Sequence, residues 1–143
     1  MAKIITEDRE IKKILEETKT IAVIGLSPKP ERASNSVGKY LKDNGYKIIP
    51  IRPAQKEILG EKAYKNLGDV EIAVDMVDVF RSSDQVMPHA VEAIENGAKV
   101  FWMQLGIENS EAAKLLIDAG INVIMNRCTK IEHDKFIKKK ILI

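Results

Sequence analysis

Five short apolar runs constrain what this chain can fold into: Thr20 to Leu26, Tyr46 to Ile51, Ile72 to Val77, Lys99 to Met103 and Ile121 to Met125. Each is rich in β-branched residues and nearly continuous, where a strand with one wet face would alternate. Continuous runs of this length fit strands buried on both faces, as in a parallel sheet covered by helices. Their starts lie 26, 26, 27 and 22 residues apart. Parallel strands need a crossover connection of about a dozen residues or more, and these gaps provide the room.

Helical patterns fill the gaps. Ile11, Ile14 and Leu15 form an i, i+3, i+4 stripe ahead of the first run. Val37, Tyr40 and Leu41 do so in a helix from about Ser34 that stops at Asn44-Gly45. Ser82 with Gln85 reads as a capping box before Val86, Ala90, Val91 and Ile94, with Pro88 near the start and Asn96-Gly97 at the end. A further helix runs from about Asn109 through Ala113, Leu116 and Ile117 to Gly120. Residues 53–68 read as irregular, with only a short turn or strand around Ile58 to Tyr64. The 143 residues suit one domain, 1–143. The expected fold is α/β: an N-terminal helix and a Rossmann-like, doubly wound, parallel five-stranded sheet in the order 3-2-1-4-5, with right-handed crossovers.

Composition narrows the partners. Lys and Arg number 23 against 21 Asp and Glu, a net charge of +2, which argues against a dedicated nucleic-acid surface. The core must be aliphatic, since there are only 1 Trp, 3 Tyr and 3 Phe. One Cys excludes a disulfide scaffold, and one Cys with two scattered His does not make a zinc set. Met1 to Glu10 lacks the apolar stretch of a secretory signal, and no run reaches the roughly 18 apolar residues of a membrane span. A cytoplasmic protein is expected, with no membrane or nucleic-acid partner. The segment 134–143 joins Lys138, Lys139 and Lys140 to Ile141, Leu142 and Ile143. It reads as a basic tail whose last apolar residues dock on the body or on a second copy in a homodimer.

In open α/β sheets the ligand sits outside the carboxyl ends of the strands, so the residues after each run matter most. After the first comes Gly25-Leu26-Ser27-Pro28-Lys29-Pro30-Glu31-Arg32-Ala33-Ser34-Asn35-Ser36. Only Gly25 matches the dinucleotide fingerprint G-x-G-x-x-G, and two prolines stand where a pyrophosphate needs close backbone approach. The loop still suits phosphate. Ser27, Ser34, Asn35 and Ser36 offer donors, Lys29 and Arg32 offer charge, and a helix N-terminus follows. Arg52 follows the second run, where an NAD site needs a carboxylate. A cation there fits a phosphorylated ribose, as in NADP or coenzyme A.

After the third run, Val77, Val79 and Phe80 suit an apolar wall for adenine, with Arg81 beside them. Asp75 and Asp78 read as hydrogen-bonding loop residues, since no partner His or metal set accompanies them. Gln104 and Gly106 after the fourth run suit a polar contact and a close backbone approach. Cys128, after the fifth, follows Arg127, a cation that favours thiolate.

Ala22 to Ser34 resembles the first loop of the small stand-alone CoA-binding proteins. The resemblance continues through Tyr40-Leu41 with Gly45-Tyr46, Ile58-Leu59-Gly60-Glu61, Val77-Asp78-Val79-Phe80-Arg81, Gly97-Ala98-Lys99, Trp102-Met103-Gln104-Leu105-Gly106 and Asn126-Arg127-Cys128. It spans Thr6 to about His133, and the implied fold is similar to the CoA-binding domain of the succinyl-CoA synthetase α subunit. The resemblance implies coenzyme A or an acyl-CoA as ligand. Ser27, Lys29, Arg32, Ser34 and Asn35 would meet phosphates, and Arg52 the 3′-phosphate. Val77, Phe80 and Arg81 would meet adenine and its ribose, and Gln104 and Gly106 the pantetheine. Where the family often has Asn-Pro, this chain has Arg52-Pro53. The synthetase carries its phosphorylated His in a second domain, so ligand binding transfers and the ligase reaction does not. The expected function is CoA binding without catalysis, with a mixed disulfide between CoA and Cys128 as its sharper form. The alternatives are an NADP-dependent reductase and an acyl-CoA-handling subunit of a larger enzyme.

Overall fold

In the computed structural model, described for residues 1–138, a parallel five-stranded sheet is covered by helices on both faces. Its strands are β1 (Thr20–Ile24), β2 (Lys47–Ile51), β5 (Met76–Val79), β6 (Val100–Met103) and β7 (Asn122–Ile124). A small hairpin, β3 (Glu57–Ile58) and β4 (Glu61–Lys62), stands apart. Its turn residues, Leu59 and Gly60, both have positive φ, 55° and 76°. That conformation matches the twist of a two-residue hairpin, and glycine adopts it without a side-chain clash. The helices are α1 (Asp8–Glu17), α2 (Ala33–Asp43), α3 (Val86–Asn96), α4 (Ser110–Asp118) and the short α5 (Thr129–His133), which runs into a π-helical turn, Asp134–Lys138. The apolar tail residues Ile141, Leu142 and Ile143 lie outside the described residues.

The sheet is Rossmann-like, but its order is β2-β1-β5-β6-β7. Counted over the five expected strands this is 2-1-3-4-5, and it corrects 3-2-1-4-5. Pro50, inside β2, has no N–H to give a second neighbour, so β2 belongs at an edge. Tyr64 closes the far side of β2: its N–H donates to the Pro50 carbonyl at 2.9 Å, and its carbonyl accepts from Arg52 N at 2.8 Å. The third strand therefore crosses over to the other side of β1. The chain reverses between β1 and β5, and the crevice outside their carboxyl ends is the switch point.

The third strand also starts later than its apolar run. Ile72 is half-exposed. Asn96 clamps the segment by accepting from Val74 N at 3.0 Å and donating to the Ile72 carbonyl at 2.9 Å. Asp75 then accepts from Lys19 N and Thr20 N at the amino end of β1. Pairing begins only at Met76.

Strand residues alternate between two cores, as double-sided burial requires. Ala22, Ile24, Val77, Val79, Phe101 and Met103 face α3 and α4. Ile21, Val23, Met76 and Trp102 face α1 and α2. Gly97 ends α3 in the left-handed conformation, φ 83°, and the Asn109 side chain caps α4 by accepting from Ala112 N at 2.9 Å. The capping box at Ser82 does not form. Its hydroxyl turns to Asp84 and Gln85 side chains, and a 3-10 turn, Ser83–Gln85, precedes α3. Pro88 falls in the first turn of α3, where its missing N–H costs no helical bond.

Candidate functional site

The loop leaving β1 is built around Gly25, whose φ is 85°. A Cβ at this position would lie 2.7 Å from the Phe80 carbonyl oxygen, so the chain after β5 presses directly on it. Gly25 N donates to the Ile51 carbonyl at 3.0 Å, and Arg52 Nη1 donates to the Gly25 carbonyl at 3.2 Å. The ends of β1, β2 and β5 are thereby tied together at one point.

The loop fixes itself on the start of α2. Ser27 N donates to Ser34 Oγ at 2.9 Å, Lys29 N to Ser27 Oγ at 3.1 Å, and Asn35 Nδ2 to the Ser27 carbonyl at 2.9 Å. Ser27, Ser34 and Asn35 are all buried. Asn35 thus holds the loop from behind. Lys29 and Arg32 remain exposed. Together with Gly25, Ser27, Ser34, Arg52 and Phe80 they line a cavity of about 500 Å³. Three cations and the hydroxyls of two serines make this chamber suitable for an anionic, phosphate-bearing group. Arg52 also borders a neighbouring cavity of about 340 Å³, with Arg81, Lys65 and His89.

A second cavity, about 470 Å³, adjoins the cationic one through Ala33 and Phe80. Val37, Leu105, Ile107 and Ile131 give it an apolar lining, and Arg81, Gln104 and Cys128 also border it. None of those four aliphatic residues stood out in the sequence. Val37 read only as a helix-face residue and Leu105 only as the residue between Gln104 and Gly106, while Ile107 and Ile131 leave no local signal because the fold alone brings them together. Gly106 lies beside this region, its N–H donating to Asn126 Oδ1 at 2.6 Å. Val77 is fully buried within β5 on the opposite face. The structure does not bring it to the crevice, whereas Phe80 borders both cavities.

Gln104 is nearly sealed behind that lining. Its Nε2 donates to Asp78 Oδ1 at 2.6 Å and to Thr129 Oγ1 at 2.8 Å, while the Thr129 hydroxyl donates to Asp78 Oδ2 at 3.2 Å. Asp78 is not a loop residue. It sits inside β5 with no exposed surface. Burial pushes its carboxyl up to about 7, against the downward pull of the Gln104 and Thr129 hydrogen bonds. Asp75 lies at the other end of the sheet, so the two carboxylates share no site.

Cys128 is partly exposed at the entrance to α5. The indole of Trp102 donates to the Arg127 carbonyl at 2.7 Å and fixes the loop that carries it. The Arg127 guanidinium turns away, to Glu132 at 2.6 Å and the Thr6 carbonyl at 3.1 Å. It is thus paired with a carboxylate on α5. Among the described residues no group of three His, Cys, Asp or Glu is placed to hold a metal ion. No helix among them is long and apolar enough to cross a membrane.

Comparisons with known proteins bear on this crevice. A family model described as a CoA binding domain matches residues 19–134. The chain is 46% identical over 124 residues to Uncharacterized protein YneT of Bacillus subtilis (strain 168), covering 87% of this chain and 92% of that one. A solved structure, a hypothetical protein from Pyrococcus horikoshii OT3, matches with TM-score 0.90 and 38% identity over 96% of this chain and 98% of its own. An ADP-forming acetate–CoA ligase of Methanocaldococcus jannaschii is 38% identical over 80 residues, which are 56% of this chain but 11% of the ligase. The matched span runs from the residue before β1 through α5 and takes in the cationic loop, Gln104 and Cys128, and on that ground the chain belongs to the CoA-binding domain family.

Proposed function

We propose that this protein binds coenzyme A or an acyl-CoA across the carboxyl ends of its strands without catalysis of its own. One observation carries the reading: a cationic chamber adjoins an apolar one at Ala33 and Phe80. CoA has the same division, a phosphate-rich nucleotide joined to a long, weakly polar pantetheine arm. Lys29 and Arg32 meet the phosphates, and Ser27 and Ser34 set the shape of their loop. Arg52 and Arg81 serve the 3′-phosphate and ribose, and Phe80 packs on the base. The arm passes Gln104 toward Cys128. The acetate–CoA ligase that shares this module is named for CoA, which supports the same ligand here.

NADP also carries a phosphorylated ribose. It lacks a pantetheine arm, so it leaves the apolar chamber unused, and the β1 loop lacks the glycines a dinucleotide requires. The test begins with the protein as purified. After denaturation, mass spectrometry is expected to find CoA or an acyl-CoA, and added CoA should displace a fluorescent CoA analogue that NADP leaves in place. Displacement by NADP and not by CoA would reverse the assignment.

The reading has a sharper form at Cys128. CoA disulfide bound in the groove presents its sulfur near this residue. The Cys128 thiolate attacks that disulfide, forms a Cys128–CoA mixed disulfide and releases the other CoA as thiolate, so one disulfide replaces another. Incubation with CoA disulfide is expected to add the mass of one CoA, removed by dithiothreitol. The adduct should vanish in Cys128→Ser. The same adduct in that variant would remove the sulfur contact.

A further inference from the structure

A second cavity, also about 470 Å³, lies past Cys128. It shares Leu105, Cys128 and Ile131 with the apolar chamber. The two hollows therefore adjoin, with Cys128 among the residues between them. The remaining apolar lining of the second comes from Ile4, Ile5 and Met125. Ile4 is 41% exposed, Leu105 63% and Ile131 55%. Among the described residues, three of the seven large exposed hydrophobics thus gather around this one hollow. Single surface hydrophobics are ordinary, but a cluster marks a surface that something covers.

We infer that this cavity is an acyl pocket, which receives the neutral aliphatic acyl group of an acyl-CoA thioester. The inference rests on the CoA reading and extends it. If the arm ends at Cys128, whatever the thiol carries enters the next hollow. The charges there select against an anionic acyl group. Arg127 is already bound to Glu132 and to the Thr6 carbonyl, and Glu108 adds a second carboxylate to the lining. A dicarboxylic acyl group would meet repulsion with no free cation among the described lining residues to offset it. Asn126 spends its side-chain oxygen on Gly106 N, which leaves its amide N–H₂ to donate to a thioester carbonyl.

The test is calorimetry at 25 °C with CoA and with acetyl-, butyryl-, hexanoyl- and succinyl-CoA. A fully buried methylene strengthens binding about fourfold. In an open pocket, hexanoyl-CoA is expected to bind at least about tenfold tighter than acetyl-CoA, and succinyl-CoA more weakly than butyryl-CoA. Ile4→Ser changes a residue that borders the acyl pocket and not the CoA groove. It should erase most of the hexanoyl preference while the Kd for CoA stays the same. CoA binding with no dependence on chain length would overturn the acyl pocket, leave the CoA reading intact and point to a protein partner on these residues. A hexanoyl preference that survives Ile4→Ser would place the chain elsewhere and overturn the assignment. Failure of every thioester and of CoA to bind would overturn both readings.

Discussion

Gly25→Ala is expected to destabilise the fold by about 2–6 kcal/mol and to abolish ligand binding. Two costs combine. Alanine at φ 85° is strained by its own backbone, and its Cβ would lie 2.7 Å from the Phe80 carbonyl. A carbonyl at the end of a paired strand cannot step aside without dragging β5 from β1. The same motion would break the Arg52 bond to the Gly25 carbonyl and open the cationic chamber. Gly45→Ala separates the two costs. Gly45 has φ 96°, but nothing lies within 4 Å of a Cβ built there. It should cost only the backbone part, about 1–2 kcal/mol, and leave binding unchanged. Urea denaturation read by circular dichroism measures both. Equal losses in the two variants would show that the contact with Phe80 carries no weight.

The second large effect belongs to Asp78. Its folded value of about 7 lies above the ordinary carboxylate value of 3.8, because burial disfavours the charge. Folding thus favours the protonated form. The stability that this preference contributes is complete below about pH 4 and is lost as pH rises through about 7. At 1.36 kcal/mol per pKa unit, the loss is on the order of 4 kcal/mol. Asp78→Asn keeps the shape and remains neutral. Its oxygen can still accept from Gln104, and its nitrogen can donate to Thr129. The stability of the variant minus that of the wild type should therefore grow by a few kcal/mol between pH 4 and pH 8. Taking the difference cancels the titration of the other groups. A difference that stays flat with pH would mean that Asp78 ionises as freely as a surface carboxylate.

Much of this fold is legible in the chain because burial on both faces leaves a plain pattern. The runs at Thr20, Tyr46, Lys99 and Ile121 became strands within one or two residues of their expected starts. Strand order was also written there, in Pro50, a residue that suits an edge and not the middle of a sheet. The third strand was harder. Ile72 and Val74 look like strand residues, but the Asn96 side chain holds them off the sheet. That contact spans more than twenty residues, beyond the reach of local pattern.

The site divides in the same way. The β1 loop is a continuous stretch, so Gly25, Ser27, Lys29, Arg32 and Ser34 are visible together, and the structure gathers them on one cavity. The apolar chamber draws on Val37, Leu105, Ile107 and Ile131, which come from three separate stretches of the chain and are ordinary in type. Asp78 resembled a loop carboxylate only because the strand was expected to end too soon. Arg127 stands next to Cys128 in sequence, yet its side chain serves Glu132.

Calorimetric titration of the desalted protein with CoA decides whether the strand ends hold coenzyme A. One CoA per chain is expected to bind with release of heat, more weakly at higher salt, since phosphate contacts are screened. Lys29→Ala with Arg32→Ala should weaken binding at least about tenfold without lowering the melting temperature, because both residues are exposed. Absence of heat with CoA at high micromolar concentration, in protein shown to be folded and free of ligand, would contradict the account.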